Sequence, residues 1–243
     1  MIENSKTEKP IIIIGAGGHA KVLFDVLRQQ NRKIIGFVDK NKVLNGTYIC
    51  GIPVLGNDEV LNCYNCSDIL LVNGIGSVGS MELRKRIYNN YKKNGFCFET
   101  VVHNSAVISS NAILEEGCQI LAGAVLSYGC KIGANSIINT KASVDHECII
   151  GRHVHIAPGC TICGGVAVGN ETHVGSGSTV IQLCKIGSCS LIGAGSLVLK
   201  DIPANARAYG SPANAIKVTG GGCCSIVLST VCHQNQRWLK QCA

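Results

Sequence analysis

Counting in sixes from Ile108 gives Ile108, Leu114, Ile120, Leu126, Ile132, Ile138, Val144, Ile150, Ile156, Ile162, Val168, Val174, Val180, Ile186, Ile192 and Val198, and every one is Ile, Leu or Val. An unbroken six-residue period is the signature of a parallel β-helix, here expected to be of the left-handed hexapeptide kind. Three hexads close one triangular coil of about eighteen residues, so the run builds about five coils. Each aliphatic side chain then points inward and stacks on its equivalent one coil away.

A second slot fixes the register. Four residues after each aliphatic stand Ala112, Cys118, Ala124, Cys130, Ser136, Ala142, Cys148, Val154, Cys160, Val166, Thr172, Ser178, Cys184, Ser190 and Ser196, all small. Small residues suit the crowded corner of a narrow, close-packed prism. Most cysteines of the repeat thereby read as packing residues. The pairs Cys160-x-x-Cys163 and Cys63-x-x-Cys66 have the spacing of half a zinc site but no second half, so no metal is expected. The turn formers Asp201-Ile202-Pro203 and Gly210-Ser211-Pro212-Ala213 are expected to end the repeat.

The first hundred residues follow a different grammar. Ile11 to Ile14 reads as a buried strand, Gly15 to His19 as a tight turn, and Ala20 to Gln29 as a helix with Val22, Leu23, Val26 and Leu27 on its apolar face. Ile34 to Val38 is a second strand and Ile69 to Val72 a third, followed by Gly74-Ile75-Gly76 and a helix from about Met81 to Lys92. Alternation of this kind predicts a small parallel sheet of βαβ type. The expected organisation is an α/β nucleotide-binding domain at 1–104, a left-handed parallel β-helix at 105–217, and a tail at 218–243 that matches neither.

Bulk composition narrows the function. A net charge of +7 favours an anionic partner such as a nucleotide or coenzyme, but the basic residues are scattered, so no nucleic acid is expected. The only apolar run near the N-terminus, Ile11 to Ile14, is too short for a signal core or a membrane span, so neither export nor a membrane partner is expected. With no export signal, 15 cysteines indicate a reducing cytoplasm.

Two constellations carry chemistry. Gly15-Ala16-Gly17-Gly18-His19-Ala20 lies between a strand and a helix, with Asp39 after the next strand. Glycines there let backbone N–H groups approach a pyrophosphate at the helix N-terminus, while the acid accepts from a hydroxyl or ring N–H. Only one such α/β unit is present, which favours a nucleotide-linked substrate over NAD. In the repeat, Asp145-His146-Glu147 is the strongest catalytic candidate, because a β-helix needs no charged triplet inside a strand-forming stretch. His155 and His173 are one coil apart and should stack roughly 5 Å from each other.

Gly-Ala-Gly-Gly-His-Ala-Lys-Val at 15–22, Ile-Ile-Gly-Phe-Val-Asp at 34–39, Val-Asp-His-Glu-Cys at 144–148, Ile-Gly-Arg-His-Val-His-Ile-Ala-Pro-Gly at 150–159 and Gly-Ser-Pro-Ala at 210–213 together resemble one family. It is the sialic acid O-acetyltransferase/nucleotide-amino-sugar N-acetyltransferase family of bacterial surface-glycan pathways. The resemblance runs from about residue 10 to 217. It implies acetyl-CoA as cosubstrate and a homotrimer with active sites between neighbouring β-helices. It further implies His146 as general base, Glu147 as its orienting partner, and His155, Ser176 and Ala194 as coenzyme contacts, the last two through backbone. By the same likeness Gly17, Gly18, His19 and Asp39 would hold the sugar nucleotide, and Lys40 and Gly76 complete the expected substrate set.

The expected reaction is direct transfer of acetyl from acetyl-CoA to the amino group of a nucleotide-linked sugar. O-Acetylation of a sialic acid-type sugar is one alternative. A zinc hydratase resembling the γ-class carbonic anhydrases, with His146, His153, His155 and His173 as candidate ligands, is another. The hundred residues that precede the repeat argue against the zinc reading.

Overall fold

The computed structural model describes residues 9–77 and 79–217. Nearly all of the polar N-terminal stretch, and the expected tail from Val218 onward, lie outside the described residues.

The N-terminal unit is a sheet flanked by helices. Strand β1 (Ile11–Ile14) pairs in parallel with β2 (Ile34–Val38) on one side and β5 (Leu70–Asn73) on the other. Two strands extend the sheet beyond the sequence expectation: β4 (Ile52–Gly56) runs parallel to β2, and β3 (Tyr48–Ile49) closes the edge antiparallel to β4. Four consecutive isoleucines in β1 are buried on both faces, as a central parallel strand requires. Helix α1 (Gly18–Gln29) covers one face through Ala20, Leu23, Phe24, Val26 and Leu27, and α2 (Glu82–Lys93) covers the other. The expected apolar face of α1 needs correction at one residue. Val22 is exposed and Phe24 takes the core position, because the buried stripe of this helix follows 20, 23, 24 and 27, which leaves 22 on its open side.

The repeat region is a left-handed β-helix of two-residue strands. Each strand pairs in parallel with its equivalent one coil away: Val125–Leu126 with Ser143–Val144, Lys131–Ile132 with Ile149–Ile150, Ile137–Ile138 with His155–Ile156. The second residue of each doublet is the aliphatic of the hexad, and from Ile120 to Val198 every one is buried. Burial of each such side chain contributes roughly 1.5–3 kcal/mol. From Cys118 to Ser196 the small slot is buried as well, and several of its polar groups are used. Ser136, Thr172 and Ser178 hydroxyls donate to the carbonyls of Gly151, Gly187 and Gly193 in the next coil at 2.8 Å, and the Cys160 thiol donates to Gly175 at 3.0 Å. A small donor there adds a hydrogen bond between neighbouring coils to a corner carbonyl.

Every sixth residue from Gly117 to Gly195 has positive φ. Glycine fills half of these corner positions, and Asn135, Lys141, Glu147, His153, Glu171, Leu183 and Cys189 fill the rest. The repeat also runs further than its turn formers suggested. Ala206–Tyr209 continues one face in parallel with Leu191–Ile192, and Asn214–Lys217 folds back antiparallel on it.

The two parts pack directly. Val101, Leu121 and Ile137, on one face and corner of the prism, join the core beneath α1, while Ala134 joins the core beneath α2. Among the described residues no helix is long and apolar enough to cross a membrane.

Candidate active site

A cavity of about 610 Å³ lies where the glycine turn meets the prism, and Gly17, Gly18, His19, Asp39 and Gly76 all line it. The opposite wall comes from the β-helix and includes Asn139 and His155. Lys40 is not among the lining residues; its ammonium lies 3.6 Å from Asp58 at the surface. A groove of about 710 Å³ on another face of the prism, along Ile149, Ala167 and Lys185, holds none of the candidate residues.

The floor of the turn is an N-terminus prepared for an anion. Gly17 caps α1 in extended backbone, with no side-chain cap and no acidic residue in the first turn. The first N–H groups of a helix have no intrahelical acceptor and sit at the positive end of its dipole. A Cβ added at Gly17 or Gly18 would meet nothing within 4 Å, so these positions border open space. Asp39, in the cavity lining, also has a structural task. Its two carboxylate oxygens accept from the backbone N–H of Ala16 and of Asn41, each at 2.8 Å, so it stitches the glycine turn to the strand beside it.

The histidines of the cavity wall are held neutral by burial. His19 Nε2 meets Gln119 Oε1 at 2.7 Å, across the junction between the two parts, and burial followed by the nearby Arg84 pulls it down to about 4. Asn139 fixes the proton on His155. The Asn139 carbonyl accepts the Thr140 N–H at 2.8 Å, so its amide donates to His155 Nε2 at 2.9 Å. His155 therefore carries its proton on Nδ1 and donates it to Ser77 Oγ at 2.7 Å. Burial first, then His173, pushes His155 down to about 2. His173 stacks edge-on against it with ring centroids 4.8 Å apart, as the coil spacing predicted.

His153 lies at a different corner, where its ring packs against Tyr88 of α2 and its Nδ1 takes a 2.9 Å hydrogen bond from Asn135. It belongs to the joint between the parts, and the four histidines of the zinc alternative are spread over two corners and one face. Among the described residues no three His, Cys, Asp or Glu side chains gather.

Asp145-His146-Glu147 sits in a corner between Ser143–Val144 and Ile149–Ile150, not within a strand-forming stretch as expected. The strands are only two residues long, so a charged triplet fits the corner without disturbing the ladder. The positive φ of Glu147 belongs to the same corner rule. His146 Nδ1 lies 3.7 Å from Glu147 Oε2, its backbone N–H bonds Asp145 at 2.7 Å, and both side chains are well exposed. His146 does not line the cavity. Nine residues, half a coil, separate it from His155, which puts the two on different sides of the prism. Ser176 and Ala194 are exposed and stack at the corner that follows the His155 face.

Residues that sequence reasoning passed over include Ser77, Gln119, Asn139 and Arg84. Ser77 had a signal, since it directly follows Gly74-Ile75-Gly76. Gln119 and Asn139 flank inward aliphatics, where a polar side chain that faces another element cannot be told from one that faces water.

The chain matches known proteins over most of its length. The PglD N-terminal domain family matches residues 10–91, and the bacterial transferase hexapeptide family (six repeats) matches residues 129–164. GDP-perosamine N-acetyltransferase of Escherichia coli O157:H7 is 28% identical over 162 residues, 64% of this chain and 70% of that protein. Among solved structures, a histidine-to-alanine variant of GDP-perosamine N-acetyl transferase from Caulobacter crescentus, in complex with CoA and GDP-perosamine, is 33% identical with a TM-score of 0.80, covering 86% of this chain and 97% of its own. The acetyltransferase domain of PglB from Neisseria gonorrhoeae, in complex with acetyl coenzyme A, is 31% identical with a TM-score of 0.79, covering 86% and 99%.

Proposed function

The chain belongs to the sialic acid O-acetyltransferase/nucleotide-amino-sugar N-acetyltransferase family of hexapeptide-repeat enzymes, and from that membership we propose that it transfers acetyl from acetyl-CoA to the amino group of a nucleotide-linked 4-amino deoxy sugar. One observation carries the choice of a nucleotide-linked acceptor: the uncapped N-terminus of α1, with open space at Gly17 and Gly18, forms the floor of the cavity. A diphosphate fits such a floor, and a free sugar leaves it unused. The relative of known complex binds GDP-perosamine together with CoA, which supports the same pairing.

In this reading the N-terminal unit, 1–104, holds the nucleotide and the β-helix, 105–217, holds the coenzyme. Gly17, Gly18, His19, Asp39 and Gly76 shape the nucleotide end. His155 stands at the cavity wall where the sugar meets the coenzyme, and Ser176 and Ala194 continue the coenzyme track along the exposed corner. The sugar amine attacks the thioester carbon, the carbon–sulfur bond breaks, and coenzyme A leaves as its thiol. His146, oriented by Glu147, accepts the amine proton, and that proton passes to the departing thiolate to give the thiol. Because His146 lies on another side of the prism from the cavity, the site is completed by His146 of a second copy, in a cyclic trimer. The reaction is placed in the cytoplasm, where acetyl-CoA and nucleotide sugars are made.

The test is direct. Purified protein is incubated with acetyl-CoA and a panel of GDP-, UDP- and dTDP-linked amino sugars plus free sialic acids, and thiol release is followed. One nucleotide-linked amino sugar should turn over, with a product stable to mild base, as an amide is. A base-labile product, or a free sugar used as fast as its nucleotide form, counts for O-acetylation instead.

A further inference from the structure

Arg84, in α2, is a buried cation that none of these roles uses. It has no exposed surface. Its Nε donates to the Asn135 carbonyl at 3.1 Å, and its Nη1 donates to the carbonyls of Asn73 at 2.8 Å and Ile75 at 2.7 Å. Its Nη2 is buried without a partner. Among the described residues no carboxylate pairs with it. Burial draws the guanidinium down to about 9, which leaves it charged at neutral pH. A buried charge without a counter-charge is costly by several kcal/mol, so its place needs a reason.

The carbonyls it holds point to one. Asn73 and Ile75 flank Gly74, and Gly74, Ile75, Gly76 and Ser77 all line the cavity. The Asn73 side chain reinforces the same loop, accepting the Ile75 N–H at 3.2 Å and donating to the Arg84 and Asn135 oxygens. The positive charge also reaches the cavity itself: it is among the influences that disfavour protonation of His19 and His155, both in the lining.

We propose that Arg84 is a positioning residue for the nucleotide end of the substrate: it fixes the 74–77 loop through two carbonyls, and its unmatched charge is balanced when the diphosphate enters the cavity. This rests on the nucleotide-sugar reading above. Coenzyme A also carries phosphates, so the experiment separates the two sources.

In the full-length protein, Arg84→Met and Arg84→Lys are compared with the parent by calorimetric titration with GDP, UDP, guanosine, uridine and CoA. Arg84→Met should weaken the preferred nucleoside diphosphate by roughly 10- to 100-fold, the usual worth of a charge-assisted interaction. Binding of the matching nucleoside and of CoA should change little. Arg84→Lys keeps the charge without the fork and should recover part of the loss. In steady state, KM for the nucleotide sugar should rise while kcat and KM for acetyl-CoA stay near the parent values. Should Arg84→Met fail to fold, the unmodified protein still decides: the buried Nε–H resonance of Arg84 should shift with GDP or UDP and not with guanosine or uridine. Equal loss of nucleoside and diphosphate, a loss confined to CoA, or an unmoved resonance overturns the proposal. If the parent protein binds no nucleoside diphosphate, the nucleotide-sugar reading fails and takes this one with it. Binding by the parent that is unchanged in both variants defeats this inference alone.

Discussion

The imidazole of His146 lies directly over Gly164, its counterpart one coil further on: a Cβ placed on Gly164 would stand 2.5 Å from the ring's Cε1 and Nε2. Gly164 is thus the seat of the ring. Gly164→Ala should push the imidazole aside while costing little stability, since the ring is exposed and free to swing. A displacement of about 1 Å is worth roughly 10²-fold in rate. Steady-state kinetics beside a thermal melt make the check, and an alanine variant with full kcat would show that the ring's position there is irrelevant.

His146→Ala should lower kcat by roughly 10²–10⁴-fold, the usual worth of a general base. Acetyl-CoA binding should stay near its original strength, because the role given to His146 is to take the acceptor's proton and not to hold the coenzyme. Titration with CoA and single-turnover rates separate the two effects. A variant that loses coenzyme affinity and keeps its chemistry would move His146 into the binding set.

Mixing two inactive variants tests whether the site spans two copies. His146→Ala retains the cavity, and Gly17→Val retains His146 while filling the cavity floor. If His146 serves a neighbour's cavity, co-refolded mixtures should regain up to about a quarter of the parent activity, since one junction in four pairs two intact halves in a cyclic assembly. Mixtures as inactive as their components would place the whole reaction within one protomer.

Stability should fall in mild acid. His19, His153 and His173 are held at about 4 and His155 at about 2, each chiefly by burial, against an unfolded value of 6.5. Above pH 6.5 both states are neutral and stability is complete. As pH falls from 6.5 toward 4 the unfolded chain takes up protons that the folded protein refuses. Each such proton removes about 1.4 kcal/mol per pH unit. Urea midpoints measured from pH 7.5 to 5 should drop steadily, and less steeply in His153→Gln. A flat profile would mean that these rings are not held neutral.

The repeat was legible because each hexad slot has one physical solution. Ile156 must be aliphatic to fill the prism axis, and Cys160 must be small to turn the corner, so the pattern survives without an alignment. The glycine turn was legible for a similar reason: strand, glycines and helix leave few other geometries. What escaped were side chains whose meaning depends on a distant part of the chain. Asp39 read as a ligand acceptor, and the bonds by which its oxygens also close the turn through Ala16 and Asn41 were not foreseen. Arg84 was passed over, because nothing local distinguishes a buried arginine from a solvated one. His19 and Gln119 are a hundred positions apart, and their bond exists only once the sheet rests on the prism.

The parallel ladder gives each side chain of the repeat an address set by its number modulo eighteen. Inserting a whole coil before Asp145 would carry His146 along the axis by about 4.8 Å, one strand spacing, without turning it. Inserting six residues would rotate it by a third of a revolution onto a different edge. Duplication can therefore lengthen such a protein between its nucleotide floor and its base in fixed increments, each keeping the chemistry aimed the same way while changing how tall a molecule fits between them.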